Sequence, residues 1–164
     1  MKIIPTYIVS ALLFMMLSSC YSFKIYPKED RNFVYTGEKK EAFILNPELK
    51  KEYRVLAKSG IYNIVSDSNK TGVIKIRLYH IRQDFVCGEP ILANWITLGQ
   101  WPVYLPDRYQ FKYDEIQGSV VQHKQFDLKV ATRYWFWDLF TFEKNFGKKA
   151  GQALLAEYYR AETR

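Results

Sequence analysis

Cys20, Cys87, His80, His123 and the adjacent carboxylates Asp114 and Glu115 are the side chains with which this chain could do chemistry. A general base needs a histidine within reach of a carboxylate, and a zinc site needs four nitrogen, sulfur or oxygen ligands at workable spacing. His80 shares the alternation of Ile74, Ile76 and Leu78, which predicts a buried, satisfied histidine rather than a base. His123 falls among Gln and Lys on a predicted strand and is expected to be exposed. Asp114 and Glu115 are neighbours, so on a strand they point to opposite faces and form no carboxylate pair. His80, Cys87 and His123 lack zinc spacing, and no GxSxG, HExxH, P-loop or dinucleotide glycine pattern occurs. The expectation is therefore no enzyme, no metal and no cofactor.

Cys20 has a different chemistry in prospect. Lys2 precedes an apolar run over residues 3–17, and Ser18-Ser19 supply small residues before Cys20, which is the three-part pattern of an export signal. At ~1.5 Å per residue the run spans only ~22 Å, short of a ~30 Å hydrocarbon core. Leu17-Ser18-Ser19-Cys20 resembles the lipobox of bacterial lipoproteins. That resemblance implies a diacylglyceryl thioether on the Cys20 sulfur, cleavage of residues 1–19 and a palmitate-bearing anchor. Tyr21 stands where an Asp would mark inner-membrane retention, so the resemblance implies the outer membrane, facing the periplasm.

Acylation removes the Cys20 sulfur from disulfide chemistry and leaves Cys87 without an intramolecular partner. Val86-Cys87-Gly88-Glu89-Pro90 reads as a turn with no basic neighbour, which predicts an inert thiol. The formal charge of +7 falls to +6 once Lys2 leaves with the signal, and the basic residues lie in short clusters such as Lys39-Lys40 and Lys148-Lys149. Export, and the lack of a dense Lys/Arg block, argue against nucleic acid as the partner. A solvated basic surface, or a face against anionic lipid, remains.

The elements that must position these residues read as a single α+β domain over residues 42–164. A mainly antiparallel sheet is packed by two helices, after a lipidated N-terminus and tether over residues 20–41. Asn46-Pro47 reads as an N-cap with proline in the first turn, and Leu49, Tyr53 and Leu56 as the inner stripe of a helix ended by Gly60. Residues 61–65 and 73–81 read as strands. Two alternating runs, 108–116 and 120–133, flank Gln117-Gly118-Ser119 as a hairpin. The final helix is expected over 141–160, with Leu139, Phe142, Phe146, Ala150, Ala153 and Leu154 on its inner side. Gly147 and Gly151 are expected mainly to weaken it.

Two segments hold more aromatics than a routine core needs: residues 95–106, with Trp95, Trp101 and Tyr104, and residues 134–142, with Trp135 and Trp137 and interrupted by Asp138. Each has two open readings. They fill the core, or they present an apolar surface to lipid or a protein. On the second reading Trp95, Trp101, Tyr104, Trp135 and Trp137 are the binding residues. The order of elements, with Thr97-Leu98-Gly99 followed by Pro102, resembles a broad group of uncharacterised bacterial envelope lipoproteins. The resemblance implies a membrane-anchored lipoprotein and supplies no activity; the aromatic density without a catalytic set predicts a non-enzymatic binding or assembly role toward an envelope protein partner. The alternatives are an immunity lipoprotein against a secreted toxin and an envelope hydrolase or lipid-modifying enzyme.

Overall fold

A computed structural model describes residues 21–26, 34, 37–68, 70–84, 100–135, 137–138 and 145–163. Cys20, Cys87 and Trp95 lie outside them. The class is α+β, as the patterning predicts, and the described residues form one mixed sheet and two helices. Its strands are β1 (Tyr21–Ile25), β2 (Lys40–Ile44), β3 (Tyr62–Ile64), β4 (Ile74–Leu78), β5 (Arg82–Asp84), β6 (Val103–Gln117) and β7 (Val120–Tyr134). The helices are α1 (Lys50–Ser59) and α2 (Phe146–Glu162). The strand order is β1-β7-β6-β4-β2-β3, with β5 also on β6. Contacts cluster into two compact units. Of the described residues, the first unit holds 21–23, 100–105, 132–135, 137–138 and 145, and the second holds the rest.

In the second unit β2 pairs in parallel with β3 and β4, while β6 runs antiparallel to β4 and β5. The β2–β3 pair is parallel because α1 carries the chain from the end of β2 back to the start of β3. β6 and β7 form the expected hairpin, turning at Gly118 with φ of 62°. Their inward alternation places Tyr109, Phe111, Tyr113, Phe126, Leu128 and Val130 in the core.

Asn46 does not cap α1. That helix begins at Lys50, and its N-cap position, Leu49, makes no side-chain cap hydrogen bond. Asn46 serves the sheet instead: its Nδ2 donates to the Leu78 carbonyl at 2.8 Å, and its Oδ1 accepts from the Leu78 amide at 2.9 Å. One side chain thus stands in for a strand residue where β2 has ended. Gly60 ends α1 in the left-handed conformation, φ 71°, as expected. The buried side of α1 is Glu52, Val55, Leu56 and Ser59, rotated from the predicted stripe, with Leu49 and Tyr53 only half-buried.

That rotation follows from α2, which packs on α1 through Gly151. A Cβ at Gly151 would lie 2.8 Å from each of three α1 backbone atoms, in Val55, Lys58 and Ser59. Gly151 is therefore a close-approach position, and the expectation that it mainly weakens its helix is corrected. Because α2 meets more than one neighbour, it buries Gly147, Ala150, Gly151, Ala153, Leu154, Leu155, Ala156 and Tyr158, a band wider than one stripe. Gly151→Ala should destabilise the protein in urea unfolding, by up to about 2 kcal/mol. The ~1 kcal/mol of helix propensity gained is outweighed by ~1–3 kcal/mol of overpacking against backbone. A more stable variant would show that the two helices can part without cost.

Two further readings change. Tyr21–Ile25 is a strand of the sheet, so the tether expected over residues 20–41 does not include its first described residues. His80 is not buried. β4 ends at Leu78, the alternation stops there, and the His80 side chain is 84% exposed in the turn before β5.

Candidate functional site

Ser22, Arg133 and Asp138 form the polar centre of the first unit. Asp138 is fully buried and is held by Arg133 through two bonds: Nε to Oδ2 at 2.8 Å, and Nη2 to Oδ1. Ser22 Oγ donates to the same Oδ2 at 2.9 Å and accepts from Arg133 Nε at 3.1 Å. Burial alone would pull the guanidinium's pKa down. The hydrogen bonds and charge of Asp138, with a further hydrogen bond to Tyr104, hold it above its ordinary value. A planar fork meeting a carboxylate at two points is a rigid base, because both orientation and distance are specified.

Aromatic side chains stand on that base. The Arg133 guanidinium lies 4.9 Å from the Trp135 ring centroid, within cation–π range. Trp135 Nε1 donates to the Gln100 carbonyl at 3.1 Å, fastening residue 100 beside the end of β7. Trp101 is 72% exposed, Trp137 49% and Tyr104 44%, and Tyr134 also faces solvent. Of the five aromatics proposed from sequence for binding, Trp101, Tyr104 and Trp137 are at the surface, Trp135 is half-buried, and Trp95 lies outside the described residues. Asp138, which sequence reasoning treated only as an interruption of the aromatic run, is the residue on which the arrangement depends. Its signal was faint: a lone carboxylate in an aromatic stretch needs a cation, and none lies beside it except Arg133, five positions earlier.

A second cluster lies on the solvent face of the sheet in the second unit. Asp114 Oδ1 is 2.6 Å from His123 Nδ1, and Tyr79 Oη donates to Asp114 Oδ2 at 2.6 Å. Asp114 itself is buried, whereas the His123 side chain is 80% exposed, as the sequence predicts. Burial would push the Asp114 carboxyl up, but the hydrogen bonds from Tyr79 and His123, with the charges of His123 and Arg77, hold it below its ordinary value. Chemically this orients the imidazole and leaves Nε2 directed away from Asp114. The 210 Å³ concavity beside it is lined by His123 with Lys124, Gln125, Phe126, Tyr158, Ala161 and Glu162, and so by no serine, threonine or cysteine. His80 has a carboxylate at 3.8 Å in Glu52, whose Oε1 is already taken by the Ile81 amide at 3.0 Å. Asp114 and Glu115 point to opposite faces: Glu115 turns inward and accepts from Tyr62.

Among the described residues no group of three or more His, Cys, Asp and Glu is placed to hold a metal ion. Nor is any described helix long and apolar enough to cross a membrane. Comparison with protein-family models and with curated proteins finds no match for this chain.

Proposed function

We propose that this chain is a bacterial envelope lipoprotein, acylated at Cys20, with a non-enzymatic binding or assembly role. Its contact surface is formed by Trp101, Tyr104 and Trp137. The carrying observation is the exposure of these three side chains on a unit whose interior is clamped by the Arg133–Asp138 pair. Large aromatics held rigidly at a surface lose little conformational freedom on binding, and Trp and Tyr dominate the energetics of contact surfaces. The anchor is supported by the spacing from Lys2 through Leu17 to Cys20. Each buried methylene of an acyl chain contributes ~0.8 kcal/mol, and two or more chains make the attachment stable. The proposed location is the periplasmic face of the outer membrane.

Labelling cells with palmitate tests the anchor. The wild type should incorporate label and run at the processed size, and Cys20→Ala should do neither. Labelling that persists in Cys20→Ala would remove the lipoprotein reading. Photocrosslinking of the anchored wild type should give a principal adduct, to lipid or to protein, and Trp101→Ala should lose it if that surface is the contact.

A further inference from the structure

The exposed aromatics of the first unit, we infer, rest on the headgroup layer of the bilayer itself, so that the partner of this surface is a lipid interface. The inference depends on acylation of Cys20 and adds to it a fixed placement of the protein on the membrane.

Distance carries the argument. β1 begins at Tyr21, the residue immediately after Cys20. One trans peptide unit spans ~3.8 Å between Cα atoms. A flexible tether over residues 20–41 would instead give an average reach of about 25 Å, enough for the protein to stand clear of the headgroups. No such slack exists at its start. Ser22, two residues from the acylated position, is bonded to Asp138 at 2.9 Å and to Arg133 at 3.1 Å. Acyl chains at Cys20 therefore bring the Arg133–Asp138 end of the first unit to the membrane surface.

The chemistry at that end suits the place. Trp101, Tyr104, Tyr134 and Trp137 are exposed in the same unit. Trp and Tyr concentrate at headgroup depth because each joins an apolar ring to a hydrogen-bonding tip. The mature chain carries a formal charge of +6, which favours approach to anionic headgroups. A protein partner would have to reach these aromatics past the bilayer that the anchor holds beside them.

The test uses full-length acylated protein, reconstituted in vesicles of phosphatidylethanolamine and phosphatidylglycerol, with or without bromine on the acyl carbons nearest the headgroups. Tryptophan emission should shift to shorter wavelength on reconstitution and be quenched by the brominated lipid. Trp101→Phe combined with Trp137→Phe should remove most of the quenchable emission, leaving Trp95 and Trp135 as emitters. Protein that floats with the vesicles but is not quenched would overturn the seating while leaving the anchor intact. Undiminished quenching in the double variant would also overturn it, since other tryptophans would then be at the interface. Protein that neither floats nor incorporates palmitate would overturn the anchor and the seating together, a result distinct from the other two.

Discussion

Replacing Asp138 with alanine should lower the unfolding free energy by about 3–5 kcal/mol, a large part of the ~5–15 kcal/mol typical of a whole domain. The loss arises from what is left behind. Arg133 exposes only 12% of its side chain, and without Asp138 its charge has lost both bonds of its fork. Ser22 Oγ loses an acceptor in the same buried place. Removing both charges is a gentler change: Arg133→Met with Asp138→Leu should recover much of the difference, because desolvating the pair offsets most of its attraction. Urea unfolding of the single and double variants measures the contrast. A single variant within ~1 kcal/mol of wild type would mean that the pair does not clamp this unit. The same substitution should also loosen the surface, since Trp135 stacks on Arg133 and holds Gln100, the neighbour of Trp101.

Arg133 and Asp138 are five positions apart, but their place beside Ser22 is invisible to local pattern for a physical reason. Ser22 and Asp138 are 116 positions apart, and Ser22 and Arg133 are 111 apart. No helical or strand period links such residues, so β1 read as tether and Asp138 as a break in an aromatic run. What was legible came from short-range physics. Alternation around Gly118 gave away the hairpin, and Gly60 the end of α1, because each depends on residues a few positions apart. Asn46 misled because an Asn before Pro has two uses, capping a helix or pairing with a strand's backbone. Tertiary contact with Leu78 chose between them. His80 misled because alternation does not announce where a strand stops. The exposed aromatics were found in the sequence by density alone, while their attachment to Arg133 required the fold.

Above pH ~10 the protein should lose about 4 kcal/mol of stability per pH unit, from three buried tyrosines acting together. Tyr62, Tyr113 and Tyr158 are each no more than 5% exposed. Tyr62 Oη donates to Glu115 and lies 3.0 Å from Tyr113 Oη, and the Tyr158 ring meets Tyr62 edge-on at 6.3 Å. Burial is the main cause that raises all three pKa values. It is reinforced at Tyr62 by Tyr113 and Glu115, and at Tyr158 by Glu162, while at Tyr113 it outweighs the effect of the hydrogen bond shared with Tyr62. The sign follows from the proton count. Below the ordinary tyrosine pKa of ~10 both states hold these protons, and the full stability is present. As pH rises past 10, the unfolded chain releases them and the folded chain does not, so unfolding gains ~1.4 kcal/mol per group per pH unit. Urea unfolding at steps between about pH 9 and 11.5 reads the slope, and Tyr62→Phe should reduce it by about a third. A wild-type slope of ~1.4 kcal/mol per unit or less would mean that at most one of the three resists ionisation. Tyrosinate absorbance gives an independent count: the native protein should titrate at least three tyrosines fewer than the urea-unfolded chain until the fold is lost.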